Sequence, residues 1–149
     1  MSVLVSKRHK CTLQVILKTE ELLKWTVNVC NNESVMPKRY RWCIQSQIIS
    51  VTTEVAVKMS QANMVRPETS EDWITRINYQ RSARDYLIKL RVYVTVADML
   101  FHLKESTATY WSKSIAEIAK LLKEWMKSDY EKFVKFQQES NDSHQVVCS

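Results

Sequence analysis

The stretch SEDWITRINYQRSARDYLIKLRVYVTVADMLFHLK, residues 70–104, carries the longest unbroken helical period in the chain. Ala83, Leu87, Leu90, Val94, Ala97 and Phe101 recur at three- and four-residue steps, so they fall on one face of a helix and build a core. Tyr79, Tyr86 and Tyr93, followed by Leu100, recur every seven residues along one shoulder of that face. Arg84, Arg91 and Asp98 do the same along the other. The shoulders admit two readings. Either the tyrosines lie at the core edge with their hydroxyls in water and the arginines are solvated, or the stripes form a contact surface.

Upstream, Arg66 and Pro67 sit in a connection over 65–69, with Thr69 or Ser70 as N-cap and Glu71 and Asp72 suited to the helix dipole. The preceding helix is predicted over 37–64. Pro37 occupies its first turn, Ser34 is a candidate N-cap, and Tyr40, Ile44, Ile48, Val51, Val55 and Met59 form its buried stripe, with Ala62 allowing close approach near its end. A first helix over 9–31 shows a heptad seam at Leu13, Ile16, Leu23, Val27 and Cys30, widened by Leu17 and interrupted by Glu20. That glutamate is expected at a helix or subunit boundary with a basic partner. Asn31 and Asn32 stand in for a C-cap glycine. Downstream, a fourth helix over 107–136 places Tyr110, Ile115, Ile118, Leu122 and Trp125 inward, and the polar residues 137–149 read as a disordered tail. Four long amphipathic helices with short connections predict one all-α domain over 1–136, an antiparallel up-down-up-down four-helix bundle.

Composition agrees with that class. The chain has 149 residues, no glycine and two prolines, which removes the usual hairpin chemistry. No segment reaches the roughly 18 apolar residues of a membrane span and the N-terminus lacks an apolar signal stretch, so a cytoplasmic protein without a membrane partner is expected. Cys11, Cys30, Cys43 and Cys148 are widely spaced and form no zinc or disulfide pattern. There is no Glu-x-x-His, and His9, His102 and His144 are scattered, so neither a di-iron bundle nor a catalytic constellation is indicated. The chain therefore reads as a non-enzyme with no cofactor and no metal.

The net charge of +6 favours anionic partners, nucleic acid first. A basic cluster at Lys7, Arg8 and Lys10 leads into the first helix. The run Lys38-Arg39-Tyr40-Arg41-Trp42 interleaves cations with aromatics, as phosphate contact and base stacking require. Its positive charge opposes the dipole at a helix start, so local helix stability does not explain it. Tyr40 belongs to the core stripe, which leaves Trp42 without an internal role. A solvated surface is the other reading of this cluster.

Four stretches also carry a family likeness. Met36-Pro37-Lys38-Arg39-Tyr40-Arg41, Gln61-Ala62-Asn63, Leu87-Ile88-Lys89-Leu90-Arg91-Val92 and Glu117-Ile118-Ala119-Lys120-Leu121-Leu122-Lys123-Glu124-Trp125-Met126-Lys127-Ser128 resemble the Avd-like accessory proteins of diversity-generating retroelements. These four-helix bundles are kin to bundle proteins encoded in intervening sequences of ribosomal RNA genes. The resemblance spans roughly residues 8–129. It implies a homopentameric ring that binds RNA and DNA and associates with the element's reverse transcriptase, without catalysis of its own. Carried over by position, it assigns nucleic-acid contacts to Lys38, Arg41, Arg91, Lys120 and Lys127. The residue patterns add Arg39 and Arg84, and make Tyr79, Tyr86 and Tyr93 the candidate oligomer contact. Ala119, Lys123 and Glu124 stand where the family pattern has glycines. The other expectation is a structural or protein-interaction bundle of the intervening-sequence type, with no reverse-transcriptase partner.

Overall fold

The computed structural model describes residues 2–148, with side chains described over 12–148. It is all-helical, with no strand among the described residues. The α-helices are α1 (Ser2–Asn31), α2 (Ser46–Met64), α3 (Ser70–Phe101) and α4 (Glu105–Val147). They close a cycle: α1 packs on α2 and α4, and α3 packs on the same two helices from the other side. The cluster Lys7, Arg8 and Lys10, with His9 and Cys11, lies outside the described side chains.

The face of α3 is the expected one. Ala83, Leu87, Leu90, Val94 and Ala97 are buried, joined by Ile77 and by the amide of Gln80, while Phe101 packs at the core edge. Thr69 begins the helix with a capping box. Its hydroxyl accepts from the Asp72 N–H at 3.2 Å, and the Asp72 carboxylate accepts from the Thr69 and Glu68 N–H groups, each at 3.0 Å. His102 ends α3 in the left-handed region at φ 49°, and its N–H donates to the Asp98 carbonyl. A histidine takes the position that glycine fills in most chains, because this chain has none.

α1 is rotated from its expected phase. Its buried positions are Val15, Thr19, Leu22, Thr26 and Cys30, whereas Leu13 is 58% exposed and Leu17 also faces out. Two threonines belong to the core because their hydroxyls are satisfied there. Thr19 Oγ1 donates to the Val15 carbonyl at 2.7 Å, and Thr26 Oγ1 accepts from Trp111 Nε1 at 3.2 Å. The same rotation turns Glu20 outward, without a cationic partner among the described residues. After α1, the Asn32 side chain accepts from the Ser34 N–H and hydroxyl. The turn thus closes through the asparagine amide rather than a left-handed backbone, and Ser34 caps no helix.

α2 keeps its expected stripe at Ile48, Val51, Val55, Met59 and Ala62, but α-geometry begins at Ser46. α4 buries Trp111 rather than Tyr110, which lies half outside and packs at a tilt against Trp25, ring centres 4.4 Å apart. Ile115, Ile118, Leu122 and Trp125 are buried as expected; Asp129, which the apolar stripe does not include, is buried as well. Past residue 136 the helix runs on to Val147, with every side chain exposed over 137–148 and no proline or glycine to stop it.

Candidate nucleic-acid interface

The segment entering α2 is built differently from a regular helix. Pro37 holds extended geometry at φ −59°, ψ 142°, Lys38–Tyr40 form a 3-10 turn, and Arg41–Gln45 form a single π turn before α2 begins. Such π turns concentrate at functional sites because they re-aim side chains within a helix. Two contacts fix this one. The buried Gln45 amide donates to the carbonyls of Met36 at 2.9 Å and Pro37 at 3.1 Å, folding the chain back over its own start. The Tyr40 ring packs edge-on against Phe101 at 5.0 Å, pinning the turn to the end of α3.

With Tyr40, Ile44 and Gln45 turned inward, the remaining residues of the turn face solvent. Trp42 is 82% exposed, the Arg39 guanidinium lies 4.9 Å over the Tyr40 ring, and Arg41 is exposed. Lys38 is exposed and ion-paired with Glu33 at 2.8 Å. Three cations therefore share one short turn with an indole that is largely exposed. Exposed cations beside an exposed aromatic are the groups that phosphate contact and base stacking require.

The other sequence-predicted cations divide. Arg84 and Lys127 come together across α3 and α4, where they wall an open groove of about 550 Å³ with Arg81 and Lys123. Its floor is apolar, formed by Ile77, Ala119, Leu122 and Met126, with Tyr130 at one end. Arg84 contacts Asp85 at 3.4 Å; Arg81, Lys123 and Lys127 have no carboxylate partner among the described residues. Along α3 this groove lies roughly 25 Å from the turn at Trp42, the rise from Arg84 to Phe101. Arg91 and Lys120 are exposed and line neither patch.

Tyr79, Tyr86 and Tyr93 are half-buried at the core edge, with the Lys58 ammonium of α2 lying 5.7 Å over the Tyr79 ring. The outward face of α3 is the less expected one. Ile88, Val92, Val96 and Met99, at three- and four-residue steps, are all exposed. The period alone could have revealed this second stripe, but the stronger core stripe drew the reading.

Below the groove, α3 and α4 are joined through Asp129. Its carboxylate accepts from Arg76 Nε at 2.7 Å and Gln80 Nε2 at 2.6 Å, while Arg76 Nη1 donates to the Val65 carbonyl at 3.0 Å. The Arg76 guanidinium also stacks on Trp125 at 5.5 Å. Every partner is a structural one. Cys30 is equally internal, its thiol pushed up to about 12 by burial, so it is inert at neutral pH. Among the described residues no group of three His, Cys, Asp or Glu is placed to hold a metal ion, and no helix is long and apolar enough to cross a membrane.

Comparison with models of known protein families, with curated proteins and with solved structures finds no match.

Proposed function

We propose that the chain is a non-enzymatic, nucleic-acid-binding accessory protein of a diversity-generating retroelement, acting in the cytoplasm, that holds template RNA or its cDNA against the element's reverse transcriptase. The observation that carries the nucleic-acid part is the turn at Lys38–Trp42, where an exposed indole shares a few residues of chain with three exposed cations. Stacking on an exposed tryptophan contributes about 1–3 kcal/mol per base and tolerates any sequence, while the cations take the phosphates. Single strands, whose bases are free to stack, fit this surface better than duplexes do.

The retroelement and polymerase parts rest on the resemblance of the quoted stretches, which also gives Arg91 and Lys120 a share of the phosphates. The antiparallel up-down-up-down order is supported by how partners pair. Thr26 and Lys18 of α1 meet Trp111 and Glu117 of α4 in opposite sequence order. Assembly into a homopentameric ring is supported by the uncovered apolar stripe on α3, since exposed apolar stripes of this length mark contact surfaces.

A fluorescence anisotropy titration of labelled single-stranded RNA across a salt series tests the binding. Neutralising three phosphates with Lys38, Arg39 and Arg41 gives a slope of log K against log salt of about −2, steepened toward about −3.5 where Arg91 and Lys120 each take one more. No binding at low salt, or binding that ignores salt, overturns the reading and leaves the interaction bundle in its place.

A further inference from the structure

The groove between α3 and α4 is a second surface, independent of the turn at Trp42, and its chemistry is different. The turn offers an aromatic plate. The groove offers an aliphatic trough, with Ile77, Leu122 and Met126 on its floor, and cations on both walls. Methionine adapts to varied side chains, and aliphatic floors accept leucine or phenylalanine anchors. A flat base finds little to stack on there, since Tyr130 is the one ring in the lining. A membrane surface would require a protruding apolar face rather than a trough.

We propose that this groove binds an acidic amphipathic helix of a protein partner, with its apolar face on the floor and its carboxylates against Arg81, Lys123 and Lys127. Charge complementarity selects the occupant. The lining contains no carboxylate, and three of its cations lack an internal partner among the described residues. Length agrees as well. From Ala119 to Tyr130 the α4 wall rises roughly 16 Å, which matches about three turns of a docked helix. Lys123 and Lys127 stand four residues apart on that wall, the step at which carboxylates recur on one flank of a facing helix.

The test uses the full chain and a fluorescein-labelled peptide about sixteen residues long, enough to overrun the groove and hold helical structure. Leucines recur in it at three- and four-residue steps, with glutamates between. Anisotropy should show saturable binding, and a scrambled peptide of equal composition should bind at least about tenfold more weakly. Lys123→Glu with Lys127→Glu, both on exposed positions, should weaken binding by at least about tenfold. Lys89→Glu with Lys135→Glu makes the same change of net charge away from the groove and should leave affinity within about twofold. Equal binding of the scrambled peptide, or equal loss in the two double variants, overturns the proposal. So does displacement of the peptide by single-stranded RNA whose own binding is lost on reversing Lys123 and Lys127, because the groove is then a nucleic-acid site. The peptide outcomes do not depend on Trp42, so their failure and failure of the RNA reading are distinguishable.

Discussion

Asp129 shows how one residue can join two helices. Its side chain is 1% exposed, and its charge is met by Arg76, itself largely covered, with the Gln80 amide donating to it and the half-exposed Lys132 ammonium at 3.8 Å. Replacing both charges with apolar groups need not harm such a pair, but removing one leaves the other buried and uncompensated. Asp129→Ala is therefore expected to destabilise the protein by about 3–5 kcal/mol, read from urea midpoints. A midpoint equal to that of the unaltered chain would show that water reaches Arg76 freely. This residue was not legible in the sequence, because an aspartate on a helix is ordinarily a surface residue and its partners lie far away along the chain. Gln45 escaped for a similar reason: its value comes from two carbonyls that only the folded turn brings near. Trp42 was legible, since the stripe of α2 gave it no internal place.

At the scale of the element, the start of α3 rests on the reciprocal cap of Thr69 and Asp72. The N–H groups of Glu68 and Thr69, with the Thr69 hydroxyl, hold the Asp72 carboxyl below the ordinary carboxylate range. A native pKa below the unfolded one means that the cap stabilises fully above the unfolded value, near about 3.9. That contribution fades as pH falls through the lower native value. Thermal melts of the protein and of Asp72→Ala should therefore differ at neutral pH and converge in acid, below about pH 4. A gap that persists undiminished in strong acid would mean that the carboxylate charge is not what caps the helix. The cap was readable in advance because its residues are local. The phase of α1 was not, because a hydropathy stripe counts Thr19 and Thr26 as polar. In the fold their hydroxyls are already spent on the Val15 carbonyl and the Trp111 indole. Helix ends show the same division: the stop at His102 depends on backbone geometry that no propensity marks, and α4 runs through a polar segment that offers no periodicity.

For the whole molecule, a helical period and the absence of glycine were enough to give the number and class of the helices. They could not say which surfaces stay uncovered, since burial is decided by all four helices together. Among the described residues, the bundle leaves uncovered the turn at Trp42, the cation-walled groove between α3 and α4, and the apolar stripe Ile88–Met99. Net charge alone does not choose among them, because cations line both of the first two. Position does, since they lie on different peptides and are reachable by different chemistry. Ultraviolet cross-linking of bound single-stranded RNA to the full chain, followed by mass spectrometric mapping of the modified peptide, separates them in one measurement. Cross-links centred on the peptide containing Trp42, and lost in Trp42→Ala, are the expected result. Cross-links confined to the α4 peptide over 119–130, with the Trp42 peptide unmodified, would contradict the assignment of the nucleic-acid site.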